Sequence, residues 1–117
     1  MNIELFREYC LSKKGVEETL PFGPEVLVYK VMGKMFALTG LDDPDRCNLK
    51  CDPQRALDLR ATYPSVIPGY HMNKQHWNTV IYNQGVPDKL VFELIDHSYQ
   101  LIADSLTRKL KQELENL

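Results

Sequence analysis

Val26-Leu27-Val28-Tyr29-Lys30-Val31-Met32-Gly33-Lys34-Met35-Phe36-Ala37-Leu38 reads as a β-hairpin. The first half, Val26 to Val31, is dense in β-branched and aromatic side chains, which pack well on a pleated surface. Lys34 to Leu38 reads as the returning strand. Only Met32-Gly33 lies between them, and so short a connection needs backbone angles that glycine adopts without steric cost. A tight hairpin pairs its strands antiparallel, so an antiparallel sheet is the expected foundation of the fold.

Upstream, Asn2 is placed to cap a first helix running to about Lys13, with Leu5, Phe6, Tyr9 and Cys10 on its buried stripe. Lys13 and Lys14 complement the helix end and Gly15 stops it. Val16 to Pro24 reads as irregular. Downstream, Asp42-Asp43-Pro44-Asp45 is a turn, and Arg46 to Cys51 is a third strand. Alternation puts Cys47, Leu49 and Cys51 on one face of it and Asn48 and Lys50 on the other. Asp52-Pro53 opens a second helix, to about Thr62, since aspartate accepts backbone N–H groups and proline has none to lose at the first helical position. Trp77 to Tyr82 reads as a strand followed by an Asn83-Gln84-Gly85 turn. Pro87-Asp88 begins the longest helix, to about Ser105, and Thr107 caps a short last one with Leu110, Leu114 and Leu117 inside. The order predicts a single α+β domain over residues 1–117, an antiparallel sheet with helices packed on one face.

A chain of 117 residues with 44% hydrophobic content can build its own core without metal or disulfide staples. It has no apolar run near the ~20 residues a membrane span needs. Its acidic, non-hydrophobic start does not resemble a signal peptide, so the expected compartment is the cytoplasm and no membrane partner is expected. Cys10, Cys47 and Cys51 read as buried small hydrophobes in a reducing compartment. The net charge of −2 argues against strong non-specific binding to nucleic acid. The distribution is more informative than the total. Residues 59–87 contain no Asp or Glu, but hold Arg60, Lys74, His71 and His76. One side of the fold is therefore expected to be locally positive.

That acid-free interval includes Pro68-Gly69-Tyr70-His71-Met72-Asn73-Lys74-Gln75-His76-Trp77-Asn78-Thr79-Val80, with the only tryptophan of the chain. Together with Leu20-Pro21-Phe22-Gly23-Pro24, Lys34-Met35-Phe36-Ala37-Leu38, Leu49-Lys50-Cys51-Asp52-Pro53 and Asp96-His97-Ser98-Tyr99, it resembles the MmcQ/YjbR family. The pieces occur in that family's order and cover nearly the whole chain. The resemblance implies a CyaY-like, or frataxin-like, fold and a role as a non-enzymatic DNA-binding protein of the "double wing" type.

If DNA is the partner, Lys34, Lys50 and Lys74 would meet phosphates. His71, Asn73, His76 and Asn78 would donate to phosphate, sugar or base edges, and Tyr70 and Trp77 would stack on exposed bases. The competing reading makes Trp77 core and has His76 and Asn78 bond nearby backbone in a rigid loop. A protein- or small-ligand-binding module using the same polar-aromatic surface is the alternative function. A metal site is not expected: Cys47 and Cys51 would stand about 13 Å apart along a strand, and the His71/His76 spacing matches no thiolate–imidazole knuckle. No cofactor motif, phosphate-cradling glycine loop or activated nucleophile is visible, so no enzyme activity is expected.

Overall fold

A computed structural model describes residues 1–69 and 72–117; Tyr70 and His71 lie outside the described residues. Among the described residues, helix α1 (Ile3–Leu11) is followed by strands β1 (Val16–Thr19), β2 (Val26–Val31), β3 (Lys34–Gly40) and β4 (Arg46–Lys50). Helix α2 (Pro53–Thr62), strands β5 (Val66–Pro68) and β6 (Trp77–Ile81), and helices α3 (Asp88–Ser105) and α4 (Arg108–Glu115) complete the chain. The strands form one antiparallel sheet in the order β1-β2-β3-β4-β6-β5.

Local chemistry sets the boundaries. Asn2, Asp52 and Thr107 each accept a backbone N–H in the first turn of α1, α2 and α4, as N-caps do. Both central residues of the β2–β3 turn have positive φ, Met32 at 50° and Gly33 at 86°. That combination gives a two-residue hairpin loop whose twist matches its strands. The first helix ends at Leu11 rather than Lys13, and β3 runs on to Gly40.

One strand was not expected, and the sequence leaves open whether one strand or two follow α2. In the stretch read as irregular, β1 forms because β2 offers it a ladder from Val16↔Val31 to Thr19↔Val28. It is pinned by Glu18, which accepts the Tyr29 hydroxyl at 2.7 Å and two Arg7 guanidinium bonds at 2.9 and 3.0 Å. The three-residue β5 is too short to show alternation and pairs with β6 at the sheet edge.

The core lies between one sheet face and the helices. Phe6 and Cys10 of α1, Ala56 and Leu59 of α2, and Val91, Leu94, Ile95 and Ile102 of α3 pack against Leu27, Tyr29, Val31, Cys47, Leu49, Val66 and Val80 from the strands. Each large apolar side chain buried there contributes about 1.5–3 kcal/mol. All three cysteines are free and buried in this cluster. Burial pushes the Cys47 thiol up to about 12 and the Cys51 thiol up to about 11.

The Asp96-His97-Ser98-Tyr99 run ties α3 to α1 and the residues after it, to the start of α2 and to the sheet. Asp96 accepts the Tyr9 hydroxyl at 2.7 Å and pairs with Lys13. His97 accepts the Asp52 N–H, and Ser98 Oγ donates to the Phe36 carbonyl while accepting the Lys50 N–H at 2.9 Å. The Tyr99 hydroxyl donates to the Lys14 carbonyl.

Candidate functional site

Directly opposed residues of neighbouring strands share a sheet face. The register therefore draws a continuous row across all six strands: Thr19, Val28, Leu38, Asn48, Thr79 and Ile67. Its members stand on the face opposite the helices. There the sheet floors an open cavity of about 590 Å³. Val26, Leu38 and Ile67 give it apolar walls, Phe22 and Met72 enter from the β1–β2 and β5–β6 connections, and among the described residues no helix residue lines it. Asn48 and Thr79 are polar groups in the floor; Asp43 and Arg46 form one edge. The Thr79 hydroxyl donates to Asn48 Oδ1 at 2.6 Å. That bond orients the Asn48 carboxamide, whose NH₂ meets no acceptor among the described residues. Arg46 is held by Asp45 through Nε at 3.0 Å and Nη2 at 3.2 Å.

The expected contact residues do not all gather on this face. The β2–β3 hairpin decides the first of them, with Lys34 opposed to core-facing Val31 and a bulge farther along. Tyr29 opposes Ala37 but Lys30 opposes Met35, so Phe36 is an extra residue and both Phe36 and Ala37 turn into the core. Lys34 shares the helix side with Val31, and its Nζ lies 3.4 Å from the Ser105 carbonyl at the end of α3. Lys50, between core-facing Leu49 and Cys51, projects from the opposite, helix-free face, opposed to Trp77. The lysines at 34 and 50 thus stand on opposite sides of one sheet.

The β5–β6 connection is built by its own backbone bonds. Gly69 N–H donates to the Trp77 carbonyl at 2.8 Å, and the Asn73 carbonyl accepts the N–H groups of His76 and Trp77 at 3.2 and 2.9 Å. Asn73 Oδ1 also takes the Gln75 N–H at 2.9 Å. Asn73 and Lys74 are exposed and His76 is half-buried, with its carbonyl accepting the Cys51 N–H at 2.7 Å. Trp77 is only 8% exposed and Asn78 only 2%. These two side chains are corrected from contact groups to internal ones in this conformation. Tyr70 and His71 fall outside the described residues.

Arg60 explains the burial of Asn78. Its Nε donates to Asn78 Oδ1 at 2.6 Å, and its Nη2 reaches the carbonyls of Lys74 and Trp77. The Asn78 amide nitrogen completes the tie to the Ala56 carbonyl at 3.5 Å. One half-buried arginine on α2 thus holds the β5–β6 connection. Sequence reading missed this role because nothing local to Arg60 marks residues eighteen positions away as its acceptors. It also missed Phe22 and Thr79 as parts of a site, although the position of Asn48 opposite the apolar face of its strand was legible.

A family model described as YjbR matches residues 11–101. The chain belongs to the YjbR family. The Escherichia coli O157:H7 protein YbdF is 40% identical over 107 residues, covering 91% of this chain and 88% of that protein. YjbR of Escherichia coli K12 is 30% identical across the full length of both. Among solved structures, the Deinococcus radiodurans protein DR2400, which carries a DUF419 domain, superposes with a TM-score of 0.88 at 41% identity, over 97% of this chain and 87% of that one. A Pseudomonas syringae protein gives 0.73 at 29% identity, over 86% and 98%. The YjbR-family assignment and the α+β architecture agree with the expectation from the sequence motifs. Among the described residues, no helix is long and apolar enough to cross a membrane.

Proposed function

We propose that the protein is a non-enzymatic DNA-associating module that meets phosphates with the loop end of its helix-free sheet face. The observation that carries this reading is a segregation of charge. Residues 59–87 hold no carboxylate side chain, and they supply exposed Lys74 and half-buried His76. Lys50 joins them, because it opposes Trp77 and the next residue, Cys51, bonds the His76 carbonyl. The nearby Asp52 carboxylate is turned to the start of α2, where it accepts the Arg55 N–H at 3.0 Å. Among the described residues, the contact set drawn from the sequence contracts to Lys50, Asn73, Lys74 and His76. A non-enzymatic role is supported by the thiols, which are buried and held in the protonated, unreactive form.

The test is a DNA titration across salt concentrations. Affinity is expected to fall steeply with salt, and Lys50→Ala and Lys74→Ala are each expected to reduce the slope by about 1. Failure to bind at low salt, or slopes that ignore both substitutions, would overturn the reading. The cavity favours a second reading, a small-ligand or protein-binding module. It predicts saturable binding that is indifferent to salt and to DNA.

A further inference from the structure

We propose that the cavity on the helix-free face receives an unstacked base of a single-stranded nucleic acid, which is held through a base carbonyl by Asn48 and covered by Phe22. This inference rests on the DNA-associating reading above and adds strandedness and a base site to it.

Size and lining fit a planar heteroaromatic ring. The volume, about 590 Å³, is in the range of small-molecule sites (~300–1,000 Å³) and the walls are aliphatic. Phe22 is 65% exposed at the rim. A large aromatic side chain left in water is a natural stacking partner, because every base presents a π-face. The floor supplies direction. With Asn48 Oδ1 already accepting from Thr79, the amide offers only its NH₂ outward, and that donor matches the carbonyl oxygen of a base.

Charge sets where the strand's backbone must run. The Asp43–Arg46 edge contains Asp43, Asp45 and Arg46, and the guanidinium of Arg46 is already engaged by Asp45. That edge is net negative and repels phosphate. Ile67 and Met72, with Thr79 in the floor, come from the acid-free interval that also carries Lys74 and His76. A base in the cavity therefore places its phosphates toward the loop lysine. A duplex cannot do this without extruding a base, since its bases are stacked and paired.

The test uses fluorescence anisotropy with three labelled probes of about 12 nucleotides, within the usual single-strand site size: a mixed-base single strand, an abasic strand of equal length, and a duplex. The single strand is expected to bind about tenfold more tightly than either of the others. Phe22→Ala and Asn48→Ala should each reduce single-strand affinity roughly five- to tenfold while leaving abasic-strand affinity unchanged. Lys74→Ala should weaken both strands alike. Equal binding of normal and abasic strands, with Lys74→Ala still effective, would overturn the base site and leave phosphate binding intact. Binding to none of the probes would overturn both readings. Should free nucleosides then still shift the Asn48 and Thr79 amide resonances, the cavity would be a small-molecule site and the strand proposal would be wrong. Circular dichroism of each variant verifies folding.

Discussion

The imidazole Nε2 of His97 accepts the backbone N–H of Asp52 at 3.1 Å, tying the middle of α3 to the residue that caps α2. Only an unprotonated nitrogen can accept that bond. Burial first, and then the positive charge of Arg55, hold the His97 pKa below its ordinary value; the Asp52 carboxylate acts in the opposite direction.

A pH dependence of stability follows. The unfolded chain takes up a proton near pH 6.5, where the folded imidazole still resists it. The stabilisation is therefore complete above about pH 6.5 and is lost as the pH falls through the lower folded-state value. Denaturant midpoints measured from pH 7.5 downward should decline below about 6.5. His97→Gln, which keeps an acceptor but cannot titrate, should flatten that decline. An unchanged profile in the variant would show that His97 is not the group responsible.

Ser98 is expected to be a stability residue and not a catalytic one. Its hydroxyl is fully buried and bridges the Phe36 carbonyl to the Lys50 N–H. Ser98→Ala leaves both backbone groups without that partner, at a cost of about 1–3 kcal/mol in urea unfolding. A loss well under half a kcal/mol, about what an ordinary surface substitution gives, would mean that other groups satisfy them.

Gly69 is required by close approach. A Cβ at this position would stand 2.9 Å from the Trp77 Cβ and 3.1 Å from the Trp77 carbonyl oxygen. The obstruction includes strand backbone, which cannot rotate away as a flexible side-chain end can. Gly69→Ala should destabilise the fold by about 1–3 kcal/mol and change the emission of Trp77, the single tryptophan. Unaltered emission and melting temperature would show that the connection adjusts freely.

Arg60 offers a sharper contrast between charge and geometry. Arg60→Lys preserves the charge but not the planar fork that serves Asn78, Lys74 and Trp77 together. Both Arg60→Lys and Arg60→Ala are expected to speed amide exchange in β5 and at the start of β6. The alanine variant should lose about 1–3 kcal/mol, since the buried Asn78 Oδ1 is left unpaired. Full protection in the lysine variant would mean that charge alone suffices.

Much of the fold could be read from local pattern. The N-caps at Asn2, Asp52 and Thr107, the Met32-Gly33 turn and the span of α3 follow from short-range chemistry within a few residues of each feature. The strand β1 was hidden because Glu17 and Glu18 are poor strand formers and their support, Arg7 and Tyr29, lies outside the segment.

The candidate site was legible only in part. Alternation around Leu49 was enough to turn Asn48 and Lys50 away from the core, because the pleat has a period of two residues whatever the sheet does. By itself, then, the sequence determined most of the elements, though not β1, together with the family and which side chains of β4 leave the core. Tertiary structure decided the rest. The hairpin opposed Lys34 to core-facing Val31 and so set it on the helix side, away from Lys50, while the Phe36 bulge turned both Phe36 and Ala37 into the core. The approach of α2 let Arg60 bury Asn78. The physical reason is that pairing register and helix docking are set by contacts between residues far apart in the chain, and no local periodicity encodes them.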